Sequence, residues 1–218
     1  MRCARCLPPN ANCMEKTSTQ SSFPVLETER LTLRELRHSD APNLLEVLGN
    51  ARVIQWMGVD ALKDLEAAHH LVSRFLAGRV AIVSSMRWGI ERKSDSQLLG
   101  SCGVFNWSKE WKKCMLGYEL GIAAQGNGYM HEALNAIVPW AFEHMELHRI
   151  EALIHPDNLA SLKLAQRLGF QIEGTLREVA FWNEAHHDMV QLGLLRRDFS
   201  PSGNFFQSSD GVFTWQSK

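Results

Sequence analysis

The chain lacks any real excess of one charge. Lysine and arginine number 23 against 24 aspartates and glutamates, a formal net charge of −1 over 218 residues. That balance offers no electrostatic capture of nucleic acid or of an anionic membrane, although a count is silent about local patches. No apolar run approaches the roughly 20 residues of a membrane span. The N-terminus holds charges and cysteines where a secretion signal would place an apolar core, so a cytoplasmic protein is expected. Cysteine is scarce as well. Five residues, an odd number, without a signal peptide argue against a disulfide framework. Cys3-x-x-Cys6 has the spacing of half a zinc site and Cys13 offers a third thiolate, but no second Cys-x-x-Cys or His-x3-His lies nearby. No metal is expected, and no internal repeat is visible.

What is present suits one globular domain: 45% hydrophobic and 22% charged residues are enough to build a core. Residues 1–22 are rich in Pro, Asn, Ser and Thr and read as a disordered extension. Residues 23–199 carry the periodic patterns of a domain. Residues 200–218 read as a Ser/Gly-rich tail, in which Phe205, Phe206, Phe213 and Trp215 are available to pack. Within the domain, Leu31–Leu36 alternates like a strand, Ser39-Asp40 reads as the cap of a helix, and a second helix fits Ala61–Ala77. Residues 88–92 and 98–105 flank a polar turn as a hairpin, and residues 114–122 continue an antiparallel meander. Met130–Met145 has a helical apolar face that Pro139 should kink or split. Arg149–His155 is a strand made parallel to its predecessor by that helical crossover. A helix follows from Pro156-Asp157-Asn158 to Gly169, then a closing hairpin around Asn183-Glu184.

The most informative stretch is Gln125-Gly126-Asn127-Gly128-Tyr129-Met130, between a strand-like run and a helix-like one. Two glycines let the backbone curl tightly and approach a ligand closely. Converging amides at a helix N-terminus suit a phosphate or pyrophosphate. About thirty residues on, Asn158-Leu159-Ala160-Ser161 leads to Arg167-Leu168-Gly169-Phe170.

This pairing of Gln125-x-x-Gly128-x-Met130 with Asn-x-x-Ser and Gly-Phe resembles the GNAT superfamily of acetyl-CoA-dependent N-acetyltransferases, whose pattern is Gln/Arg-x-x-Gly-x-Gly/Ala, with Met130 a departure at the sixth position. Glu29–Arg34, Leu116–Leu120, Gly128–Leu134, His148–Ala152 and Glu173–Arg177 are similar to its RimJ/RimL branch, over about residues 23–199. The resemblance implies a single α/β domain: a mixed, mostly antiparallel sheet with a splayed parallel strand pair and helices on both faces. It implies acetyl-CoA as co-substrate, with pyrophosphate on the amides of Gln125, Gly126, Asn127, Gly128, Tyr129 and Met130. The pantetheine arm would pair with backbone at Leu120, Gly121 and Ile122. Asn158 would lie near that arm, or simply cap its helix, or both.

Many members place a tyrosine seven residues after this Asn as the acid for the departing thiolate. Here Ala165 stands there, and Ser161 is the nearest substitute. Glu119 is the best-placed base for the acceptor amine, against the plainer reading of an ion-pair partner; Glu151 is second. His186 and His187 offer further candidates, and Trp182 and Asn183 a border for the acceptor pocket. The branch implies a protein N-terminal α-amine as acceptor, in a monomer or homodimer. A small amine (amino acid, polyamine or antibiotic) is the alternative, and a non-catalytic acetyl-CoA-binding module a third.

Overall fold

A computed structural model describes residues 23–78, 85–200, 203–207 and 212–217. The expected extension at 1–22, with Cys3, Cys6 and Cys13, lies outside them. The alternating run becomes β2 (Leu31–Glu35), with Leu31 and Leu33 fully buried, after a short β1 (Val25–Glu27). The hairpin is β3 (Met86–Arg92) and β4 (Leu98–Ser108), and β5 (Lys113–Leu120) completes an antiparallel meander β2-β3-β4-β5. Between β2 and β3 lie α1 (Ala41–Leu48), a short α2 (Ala51–Ile54) and α3 (Leu65–Gly78).

After the glycine turn comes α4 (Tyr129–His144), then β6 (Arg149–Ile154), α5 (Leu159–Arg167), and the hairpin β7 (Gln171–Trp182) and β8 (Ala185–Leu195). Asn183 and Glu184 both have positive φ, 51° and 59°, as a two-residue hairpin turn requires. The segment read as a tail carries two more strands, β9 (Gly203–Gln207) and β10 (Val212–Ser217). β10 pairs in parallel with β1 and places Trp215 in the core. Among the described residues the ten strands form one sheet, ordered β7-β8-β6-β5-β4-β3-β2-β1-β10-β9.

Helices cover both faces. Successive strand residues point to opposite sides, and β4 shows it: Leu99 joins the main core with α4, whereas Leu98 packs with Leu44 of α1 and Val72 of α3.

Three local expectations need correction. Asp40 occupies the cap position of α1 but makes no cap bond; its buried carboxylate takes both terminal nitrogens of Arg34, at 2.8 Å each, and the Arg37 N–H at 2.7 Å. A buried guanidinium is the stronger partner. The helix expected from Ala61 starts at Leu65, where Asp64 accepts the Ala67 N–H at 2.8 Å. Of the two outcomes expected at Pro139, a kink or a split, the split does not occur, since α4 is one element. The proline penalty of about 3 kcal/mol is outweighed by nine buried residues along that helix, including Leu134, Ile137 and Phe142.

The parallel pair β5–β6 positions the site. It is in register only at Lys113/Arg149, Cys114/Ile150 and Met115/Glu151. β5 continues to Leu120 paired with β4, and β6 to Ile154 paired with β8. The edges that face each other beyond Met115 and Glu151 therefore diverge. A wedge opens inside the sheet, flanked by strand edges that a peptide-like ligand can join.

Candidate active site

At the mouth of the wedge lies the glycine turn. Gly126 and Gly128 have φ of 78° and 80°, left-handed values that an L side chain rarely adopts. A Cβ on Gly126 would meet nothing within 4 Å, so its surface is open. The first bond within α4 runs from Glu132 N–H to Gly128 O, 3.0 Å, which leaves the preceding amides of the turn and first helical residues as unsatisfied donors at the positive end of the helix dipole. Asn127 closes the turn with its side-chain amide on Gln125 O, 3.0 Å. Arg30 flanks it: its guanidinium donates to Asn127 O at 3.1 Å, pairs with Glu132 and lies 4.6 Å over the Tyr129 ring. Tyr129 and Met130 open the helix, with Met130 buried in the core. Of the expected donors, the Gln125 N–H is given to Ile122 O at 3.2 Å.

The backbone expected to meet a pantetheine arm is also partly engaged. Gly121 N–H donates to Leu99 O and Gly121 O accepts Ala124 N–H, 2.9 Å each, while Ile122 O takes the Gln125 N–H. Leu120 O accepts the Gln125 side-chain amide at 2.9 Å. Of these partners only the Gln125 side chain can swing away without disturbing backbone. On the other side of the wedge, Asn158 caps α5 by accepting the Ser161 N–H at 3.2 Å. Across from it the Tyr118 hydroxyl reaches Ser161 O at 3.5 Å.

Glu119 points to the opposite face of β5 and is buried. Arg87 donates to one carboxylate oxygen and the Ser101 hydroxyl to the other. Arg87 also reaches Ser101 Oγ at 2.9 Å and Gly117 O at 3.3 Å. The ion pair of the plainer reading is present, with one donor on each carboxylate oxygen, and each oxygen keeps a further lone pair. Glu151 is likewise held, by Arg149 at 2.8 Å and Lys113 at 3.2 Å.

Beyond the end of β6 four rings gather. His155 stacks on Trp56 at 4.3 Å and meets Trp182 and His187 edge-on at 5.8 and 5.5 Å. Trp182 and His187 stack at 3.7 Å. His155 Nδ1 accepts the Asp157 N–H at 3.2 Å. His187 Nε2 lies 3.2 Å from Trp182 O; a carbonyl only accepts, so Nε2 carries a proton, and in the neutral form of the ring the lone pair is on Nδ1. His186 is on the other side of β8, against exposed Phe181, and Asn183 is in the turn.

The family model "Acetyltransferase (GNAT) domain" matches residues 30–171. N-acetyltransferase YoaA of Bacillus subtilis is 32% identical over 166 residues, 76% of this chain and 93% of that protein. The chain belongs to the GNAT acetyltransferases. The [Ribosomal protein uS5]-alanine N-acetyltransferase of Escherichia coli is 30% identical over 119 residues, 54% of this chain and 61% of that one. A crystal structure of spermidine N-acetyltransferase from Vibrio cholerae with CoA and spermine shares the fold, with TM-score 0.68 and 19% identity over 78% of this chain and 97% of that one. The α/β fold and the use of acetyl-CoA follow from this membership, and the RimJ/RimL-type likeness rests on relatives such as the uS5-alanine enzyme.

In this acetyltransferase the described thiols are poor nucleophiles. Burial pushes Cys102 far up, a rise that Arg87 opposes and Glu119 adds to. Burial, with Glu151 nearby, pushes Cys114 to about 12. Sequence reasoning had passed over Arg87, Tyr118, Trp56 and His155. His155 looked like the end of a strand, and Trp56 and Arg87 are remote in sequence from the groups they touch. For Tyr118 the available signal was its place in Leu116–Leu120, directly before the wedge.

Proposed function

We propose that this acetyltransferase works in the cytoplasm, moving acetyl from acetyl-CoA to a protein N-terminal α-amine by direct attack in a ternary complex. The observation that carries the acceptor is the ring cluster of Trp56, His155, Trp182 and His187 at the open end of the wedge. Attack requires an uncharged amine. An α-amine has an ordinary pKa near 8 and needs little help, whereas a lysine or polyamine nitrogen near 10.4 needs a stronger base. Imidazole is the weak base that matches the first case, and this reading assigns that proton to His187 Nδ1. The indoles give a flat apolar wall for the residues that follow a peptide N-terminus.

Glu119 takes part in this reading as a fixed negative charge that holds Arg87 and the β4–β5 backbone beside the thioester, and Ser161 lines the wedge with Asn158. The pyrophosphate rests on the amides of Gly126, Asn127, Gly128, Tyr129 and Met130, with Arg30 beside them. Membership of the RimJ/RimL-type group and the uS5-alanine relative support the same acceptor class. A thiol-release screen tests it. Short peptides with free N-termini should release CoA, and release only with amino acids, polyamines or antibiotics would overturn the peptide acceptor.

A further inference from the structure

We propose that Tyr118 is the proton donor to the departing CoA sulfur. The proposal rests on the acetyl-transfer activity and concerns the half of the reaction that the acceptor side does not reach. Tyr118 lies on β5, the strand that forms one wall of the wedge, and its side chain packs against the core on the α4/α5 side, opposite to Glu119. Its hydroxyl crosses to the first turn of α5 and stops 3.5 Å from Ser161 O. That is long for an O–H···O bond, whose usual range is about 2.5–3.0 Å. The phenol proton is therefore only loosely held, on the strand that walls the wedge. The other tyrosine of the chain's two, Tyr129, is held under Arg30 at the pyrophosphate turn. Ala165, one turn beyond Ser161 on α5, is small and buried, so the helix supplies no hydroxyl at that level.

Burial also raises the ionisation of Tyr118 above the ordinary phenol value, with a smaller opposing effect from its bond to Ser161, so the group holds its proton at working pH. The step balances as follows. The amine lone pair forms the C–N bond at the thioester carbonyl, and the C–S bond then breaks with its electron pair moving to sulfur. The Tyr118 O–H proton passes to that sulfur, releasing CoA as the free thiol. The phenolate regains a proton from water, which matches the one the amine gives up.

Tyr118→Phe removes one oxygen from a half-buried ring and keeps its packing. Steady-state rates are measured for both proteins with whichever amine the wild type accepts, in H2O and in D2O. The expected result is a fall in kcat of about a hundredfold, KM for acetyl-CoA within about twofold, and a solvent isotope effect on kcat that drops towards one. A kcat within about threefold of wild type, or a loss confined to KM with the isotope effect intact, overturns the proposal. Because the wild-type rate is read in the same experiment, failure of the Tyr118 role is separate from failure of any acceptor assignment.

Discussion

At the residue scale, the charged and imidazole groups of the site divide by what their atoms already touch. Glu119 has both oxygens committed to Arg87 and Ser101 in a buried setting. Removing its charge strands a guanidinium, so Glu119→Gln should lower stability by about 3 kcal/mol in denaturant titration while leaving the affinity for acetyl-CoA close to wild type. Unchanged stability together with a collapsed kcat would instead return Glu119 to the role of direct base. The two neighbouring histidines make a sharper pair. His187→Ala should lower kcat about tenfold to a hundredfold, and His186→Ala should leave it near wild type, because only His187 belongs to the ring cluster. Equal effects of both substitutions in a steady-state assay would exclude a specific role for His187. None of these contacts was legible beforehand. Glu119 stood out as a lone carboxylate among apolar neighbours, but Arg87 is 32 positions away and becomes its neighbour only through two strand pairings.

At the element scale, local periodicity and local chemistry agreed wherever the element makes its own case. β2, β5, α4, β6 and the cap of α5 by Asn158 were all readable, because alternation, an apolar face or a capping side chain lies within a few residues. The turn before α4 was readable for the same reason. Gly126→Ala should strain a residue at φ 78° and put a methyl on the open cradle, raising KM for acetyl-CoA about tenfold while changing kcat little. Unaltered KM in that variant would remove the turn from cofactor binding.

The Arg34–Asp40 pair was not readable, since Ser39-Asp40 looked like a cap; it ties β2 to the start of α1. Burial alone would raise the Asp40 pKa, but the bonds from Arg34 and the Arg37 N–H together lower it below its usual value. A lowered folded-state pKa means that the contribution is complete above the unfolded value near 3.8 and is lost as pH falls through the folded value. Asp40→Asn should thus be less stable than wild type at pH 7 and converge with it in acid. Parallel stability–pH curves from chemical denaturation would contradict that assignment.

At the scale of the whole molecule, the sheet was legible in kind but not in extent. The Ser/Gly-rich end gave little periodic signal, yet β10 extends the sheet beside β1 and buries Trp215. The wedge could be expected from family likeness alone, because no sequence pattern states that pairing between β5 and β6 stops at Met115 and Glu151. In the function proposed above, it divides the labour across one sheet, with the glycine turn, Arg30 and Tyr118 assigned to the cofactor and the rings with His187 to the acceptor. Among the described residues no helix is long and apolar enough to cross a membrane. The central claim is acetyl transfer to an α-amine, and the most direct measurement uses a peptide bearing both a free N-terminus and an internal lysine. After incubation with enzyme and acetyl-CoA, fragment mass spectrometry should find the added acetyl group on the N-terminal nitrogen. Acetylation of the lysine alone, or an unmodified peptide alongside acetylated spermine, would contradict the account.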